Sequence, residues 1–301
     1  EEGKRVDAFL EYIAVEKKYS PRTVEAYAND LLEFSTYLEH ELTREQVQQI
    51  SEEDVRSWIL HLMEEKKNAP RSVKQKLAAL HSFYKFLLRQ GVVEKDITRR
   101  VIAPKVDRPL PVFFKPSEMR AATQFEDQAD DPKSIRDCLI IQMLFQTGMR
   151  RAEIADLNDN DIDTHEQQIR VFGKRRKERI VPIGDKLCRQ IEQYREVRGT
   201  EGGIFFVDWK KDGTVIPLGR DRLYKIVTDR MGEVSSLKKH SPHVLRHTFA
   251  TAMLDNGADI RTIQTLLGHA SLAATQVYTH TTFEQIRKAY KEAHPRAKTI
   301  N

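Results

Sequence analysis

Three residues at the start of one segment, "SPHVLRHTFAT", are of the types that hold phosphate and move protons. His243, Arg246 and His247 follow Ser241 and Pro242 at i, i+3 and i+4, a spacing that sets side chains on one side of a helix. A serine followed by proline is a helix start, so all three fall in the first two turns. Unbonded backbone N–H groups and the helix dipole already attract anions there, and a guanidinium adds to that pull. The two histidines also have the spacing of paired metal ligands. Against that, Val244 stands where a His-Glu-x-x-His zinc helix carries glutamate, and Arg246 would set a fixed positive charge beside the cation. No metal or other cofactor is expected. Taken alone, the segment is equally a surface helix start with incidental basic residues.

Other candidates lie apart in the chain. In "QTGMRRAEIADL", Gly148 closes an apolar helix and Arg150 follows at a rigid, mostly buried corner. A buried arginine needs an anion. Glu153 can be that anion internally, or the guanidinium is left for a ligand. In "GKRRKERIVP", Lys174, Arg175, Arg176, Lys177 and Arg179 surround a single acid, Glu178. Such a run on a hairpin tip is either solvated or lends one lysine to a phosphate as a proton donor. In "LLGHASLAATQVYTH", Tyr278 stands between His269 and His280 among small and polar residues, and nothing local makes its phenol nucleophilic.

These residues need a scaffold, and the sequence outlines one. The first hundred residues read as helices: Val6, Phe9, Leu10 and Ile13 recur at helical spacing, Ser20 and Pro21 open a second helix, and Ser51 with Asp54 opens a third. A fourth runs from Pro70 to Gly91 with Val73, Leu77, Leu80, Tyr84 and Leu87 on one face, leaving Arg71, Lys74, Lys85 and Arg89 off it. Residues 93–114 hold Pro104, Pro109 and Pro111 and no sustained period, which reads as a linker with a boundary near 110. Its Arg99, Arg100, Lys105 and Arg108 suit a strap along a phosphate backbone, or merely solubilise it. Beyond it a buried helix ends at Gly148, "QQIRVF" and "ERIVPIG" read as two short strands, "GGIFFVDW" and "GTVIP" can pair, and amphipathic helices fill most of the remainder. The expected fold is mainly α with a small antiparallel sheet, in two domains: 1–92 helical, 93–114 linker, 115–301 mixed α+β.

Composition bounds the function. The chain has 301 residues, 40% hydrophobic and 32% charged, with no run approaching a membrane span and no secretory pattern in "EEGKRVDAFLEY", so a cytoplasmic protein with no membrane partner is expected. Cys138 and Cys188 sit far apart in apolar helical contexts, which predicts buried thiols and no redox chemistry. The net charge of +5 hides a sharp division. Residues 1–65 hold 7 Lys/Arg against 16 Asp/Glu, and residues 66–115 hold 13 against 3, a local excess of +10. That block favours a polyanion partner.

Taken in order, the segments resemble the tyrosine recombinases, specifically the Xer type. The matching stretches are "TGMRRAE" with Arg150, "GKRRKERIVPIG" with Lys174, "SPHVLRHTFAT" with His243 and Arg246, "LLGHAS" with His269 and "ATQVYTH" with Tyr278; "YSPRTVEAYANDLLEF" is similar to the start of the family's core-binding domain, and "EAHPRA" to the Xer ending. The family's hairpin usually reads glycine, lysine, glycine, whereas Arg175 follows Lys174 here, so Lys177 stays open as the alternative lysine.

The resemblance implies a SAM-like helical core-binding domain ahead of a catalytic domain, and a site of Arg150, Lys174, His243, Arg246, His269 and the nucleophile Tyr278, with Glu153 in support. Arg71, Lys74, Lys85, Arg89, Arg99, Arg100, Lys105, Arg108, Arg175 and Lys177 are candidate DNA contacts. It implies metal- and ATP-independent cleavage of double-stranded DNA at a specific site through a 3′-phosphotyrosyl intermediate. It also implies a homo- or hetero-tetramer on two duplexes, resolution through a Holliday junction, a possible second Xer-like recombinase and a possible activating DNA translocase. Chromosome dimer resolution leads; the integrase or transposase of a mobile element, and an inactive DNA-binding protein, are the alternatives. A C-terminal helix docked on a neighbour is also implied, though Phe283, Ile286 and Tyr290 suit a partner or the chain's own core equally.

Overall fold

The computed structural model describes residues 5–106, 112–123, 131–173, 178–268 and 280–296, the side chains of 280–282 excepted. The chain divides into two compact units, Glu1–Pro109 and Leu110–Asn301.

The first unit is helical: α1 (Arg5–Val15), α2 (Pro21–Tyr37), α3 (Arg44–Gln49), α4 (Glu52–Glu64) and α5 (Pro70–Arg89), then one 3₁₀ turn at Ile97–Arg100. The start signals act as read. The Ser20 side chain accepts the Thr23 N–H ahead of Pro21, and Ser51 and Asp54 form a reciprocal capping box. Phe9, Phe34, Trp58, Phe83 and Tyr84 are fully buried and form the centre of its core. Residues 92–101, which lack a helical period, nonetheless belong to this unit. Val92, Val93 and Val101 are buried in its core, and His81 Nδ1 lies 2.7 Å from the Thr98 hydroxyl and 3.1 Å from the Asp96 carboxylate.

The second unit begins with α6 (Pro116–Ala122) and α7 (Pro132–Thr147), followed by α8 (Arg151–Ala155). Strands β1 (Ile162–Asp163), β2 (Gln168–Phe172) and β3 (Glu178–Pro182) make an antiparallel sheet in that order, with Val171 opposite Arg179. After α9 (Asp185–Val197), β4 (Val207–Trp209) pairs with β5 (Val215–Pro217), and α10 (Arg220–Val234), α11 (Pro242–Asp255), α12 (Ile260–Leu267) and α13 (His280–Ala293) complete the chain. Helix α7 is the unit's axis: twelve of its residues are buried, and it packs on α9, α10 and α11. Ile286, Tyr290 and Ala293 of α13 join the same core, so here the C-terminal helix covers its own unit. Both cysteines are buried, and no described helix is long and apolar enough to cross a membrane.

Two glycines make the geometry of the site possible. Gly148 caps α7 at φ +61°, and a Cβ there would lie 2.5 Å from the Phe249 ring and 2.8 Å from Leu267. Gly268 caps α12 at φ +64°, with the Arg179 side chain 3.1 Å from where a Cβ would stand. Left-handed backbone is costly for any residue with a Cβ; at Gly148 there is no room for one either, and at Gly268 it would crowd Arg179.

Candidate active site

Three arginines converge on the end of α12. Its last two carbonyls and that of its cap each accept from a different guanidinium: Leu266 O from Arg179 Nε at 2.8 Å, Leu267 O from Arg246 Nη2 at 2.6 Å, and Gly268 O from Arg150 Nη2 at 3.3 Å. A helix C-terminus carries partial negative charge and unpaired carbonyls, so it holds cations well. Arg246 Nη1 also donates to Gly148 O at 2.5 Å, which joins the ends of α7 and α12 through one side chain.

One buried carboxylate sits within this cluster. Glu153, at the third position of α8, accepts the Arg150 backbone N–H at 2.7 Å and Arg150 Nη1 at 2.8 Å. Arg179 grips both of its oxygens, with Nη1 at 3.0 Å and Nη2 at 2.7 Å. Burial pushes the Glu153 carboxyl up, but the hydrogen bonds and charge of Arg179, with the bonds from Arg150, outweigh it and hold the group below the usual carboxylate range. The Arg179 side chain is only 5% exposed, and stripping one partner from so buried a pair costs about 3–5 kcal/mol.

Among the described residues no carboxylate pairs directly with Arg246. Burial and then the neighbouring Arg150 charge push its guanidinium down to about 10, so it stays cationic at neutral pH in a place that disfavours the charge. An entering anion relieves that penalty. Arg150 is the more open of the two: its side chain is 40% exposed, not mostly buried as the sequence predicts. The backbone explains this. Arg150 is the N-cap of α8, so its side chain leaves from the helix start, while Glu153 and Arg179 take the interior.

His243 is exposed in the first turn of α11 and His247 is half-buried one turn on. Ser241 makes no side-chain capping bond, so the N-terminus of α11 is not capped from within its own first turn. Lys174, Arg175, Lys177, His269, Tyr278 and Arg108 lie outside the described residues; in sequence His269 follows Gly268 directly and Tyr278 precedes α13 by two residues. Among the described residues no three His, Cys, Asp or Glu side chains gather as a metal-binding group.

The candidate DNA contacts of the first unit divide by environment. Arg71, Lys74 and Lys85 are exposed along α5, as are Arg99, Arg100 and Lys105 beyond it. Arg89 is exposed too, but its guanidinium donates to the Tyr12 hydroxyl and lies 5.5 Å from the centre of that ring. Lys76, in the same helix, turns inward to Asp30 and Glu33.

Arg179 is the residue that sequence reasoning misplaced. Counted among five cations of a solvated tip, it is a buried member of β3, whose Arg179 and Val181 both point inward. Strand alternation through "ERIVPI" carries that signal; its partner Glu153, 26 residues away, is not visible in it.

Comparison with known proteins decides the family. The model described as "Phage integrase family" matches residues 113–285, and that described as "Phage integrase, N-terminal SAM-like domain" matches residues 6–91. The tyrosine recombinase XerC of Listeria welshimeri is 39% identical over 302 residues, 99% of each chain. The chain belongs to the phage integrase family, as a tyrosine recombinase of the Xer type. The recombinase is also 37% identical to tyrosine recombinase XerC of Oceanobacillus iheyensis, over 97% of this chain and 96% of that one. Its fold is that of the Tn1549 transposon integrase solved with transposon right-end DNA, at a TM-score of 0.71 and 16% identity over 94% and 98% of the two chains. It is therefore a site-specific recombinase enzyme, mainly helical, with an N-terminal SAM-like domain and a catalytic integrase domain.

Proposed function

We propose that this recombinase cuts and rejoins double-stranded DNA at a specific site through a 3′-phosphotyrosyl bond to Tyr278, exchanging strands through a Holliday junction to resolve chromosome dimers. The observation that carries the reading is the convergence of Arg150 and Arg246 on neighbouring carbonyls of the α12 end, from which the chain runs on to His269 and Tyr278.

A phosphodiester resists attack because its transition state gathers charge on the nonbridging oxygens. Arg246, bonded to the Gly148 and Leu267 carbonyls, and Arg150, bonded to Glu153 and Gly268, each carry further N–H groups, with which they bind those oxygens and stabilise the transition state. The Tyr278 oxygen attacks phosphorus and the bond to the 5′-oxygen breaks. The phenol proton passes to His243, Lys174 delivers a proton to the leaving 5′-oxygen, and His269 hydrogen-bonds the phosphate. A free phenol with a pKa of about 10 is ionised in roughly one molecule in a thousand at pH 7, so the cations around it must favour the anion. The ester bond is conserved in the link to the protein, so a 5′-hydroxyl of another strand reverses the step without ATP.

Four subunits on two duplexes, with or without a second Xer-like recombinase and an activating translocase, complete this account in the cytoplasm. Arg71, Lys74, Lys85, Arg99, Arg100, Lys105 and Arg108 serve the DNA backbone from the first unit, and Arg175 and Lys177 from the second. Arg89 is the weaker candidate because Tyr12 already holds it.

The test is capture in cells. Denaturing isolation of the protein with covalently bound DNA, followed by sequencing, should return one chromosomal site. Enrichment at the ends of a mobile element would move the role to integration, and no captured DNA would overturn the reading.

A further inference from the structure

We propose that Arg179 is a positioning residue of the cleavage site, which keeps the buried Glu153 carboxylate from neutralising Arg150 and fixes the end of α12 beneath the two phosphate-binding arginines. The inference rests on the reading of Arg150 and Arg246 as phosphate ligands.

The argument begins with the Glu153 carboxylate. Its two oxygens receive four hydrogen bonds, and Arg179 supplies one to each, a fork that matches carboxylate geometry. Arg150 spends one guanidinium N–H on Glu153 and one on Gly268 O, of the five it carries. Among the described residues the cluster therefore holds three guanidiniums against one carboxylate, and the counter-charge to Glu153 comes first from Arg179. Without Arg179 the carboxylate remains buried with Arg150 as its one bonded cation among the described residues. It must then draw Arg150 inward, leaving Arg246 to meet a phosphate alone.

The third Arg179 contact gives it a second task. Its Nε bond to Leu266 O and the seating of its side chain against Gly268 tie β3 to the segment that leads to His269. β3 begins four residues after Lys174, and the opposite strand, β2, ends two residues before it. One side chain thus links the strands carrying the lysine, the helix end preceding His269, and the acid that orients Arg150. Lysine cannot replace it, because an ammonium lacks the planar fork that spans both Glu153 oxygens while a further N–H reaches Leu266.

The test titrates inorganic phosphate into the whole protein, with the arginine side chains isotopically labelled so that binding is read at Arg150 by NMR. Wild type should bind phosphate at Arg150, and Arg150→Met should not. Arg179→Met should weaken binding about tenfold or more, because the charge at Arg150 is then taken up internally. Arg179→Lys should fall between. Arg179→Met with Glu153→Gln, which removes the stranded carboxylate, should recover most of the affinity, a rescue that general loosening of the fold does not produce. Thermal melting identifies any variant that fails to fold; if Arg179→Met does, Arg179→Lys against the double variant decides. Wild-type affinity in folded Arg179→Met or Arg179→Lys, no recovery in the double variant, or no phosphate at Arg150 in wild type would overturn the proposal. Failure to capture DNA on Tyr278 would sink the cleavage reading and leave this titration to stand by itself.

Discussion

At the scale of single residues, the site depends on who neutralises whom. Arg150 and Arg246 differ in kind: one is half-exposed and tied to Glu153, the other is half-buried, bound among the described residues to two carbonyls, and pushed down to about 10. Arg246→Lys keeps the charge but loses both the two-carbonyl anchor and the fork toward phosphate. Single-turnover cleavage should fall by about 10²–10³-fold, the scale of losing one transition-state donor, with little change in DNA affinity. A change of affinity alone would assign Arg246 to binding. The placement of these residues was legible in the sequence, because histidine and arginine at a helix start, and arginine two residues past a capping glycine, are local patterns. The Glu153 to Arg179 pairing was not, since a buried ion pair between a helix start and a strand has no local signature.

At the scale of elements, the capping signals at Ser20, Ser51 and Gly148 located helix boundaries well, while α3, α6, α8 and β1 went unread. The reason is length. Helices of five to seven residues are not stable by propensity and form only where neighbours hold them. The end of α13 shows how specific such holding is. His294 is fully buried, its ring stacked on Tyr290 and Phe249, with Nε2 donating to Phe145 O at 3.4 Å and Nδ1 accepting the Arg296 N–H at 3.2 Å.

Both ring nitrogens of His294 are thus used by the neutral form, and burial pushes the imidazole down to about 3. The unfolded histidine titrates near 6.5. Stability from this group is therefore complete above about pH 6.5 and is lost as pH falls toward about 3, by at most about 1.4 kcal/mol per pH unit. Thermal melts of wild type should fall between pH 7 and 5 more steeply than those of His294→Phe, which keeps the ring stack without the proton. Parallel pH profiles would show that His294 is not the group responsible.

At the scale of the whole molecule, the division of charge was the clearest early sign. An acidic stretch through residue 65 gives way to a +10 excess over residues 66–115, and the cations of α5 and the following turn are mostly exposed, which suits a polyanion. The two-unit helical plan and the family were legible because they rest on many weak signals in a fixed order along the chain. No single one sufficed: Tyr278 has no local feature that makes it nucleophilic, and its proposed role rests on a site whose residues are scattered along the chain from Arg150 to His269.

The central claim is that this phenol becomes bonded to DNA. Its most direct test incubates the purified protein with a duplex carrying the captured site and a nick beside the scissile phosphate, then maps the attached nucleotide by mass spectrometry. The account predicts a 3′-phosphotyrosyl adduct on the peptide containing Tyr278 in wild type and none in Tyr278→Phe, with equal DNA binding by both. Binding by both without any adduct, or an adduct on another residue, would contradict it.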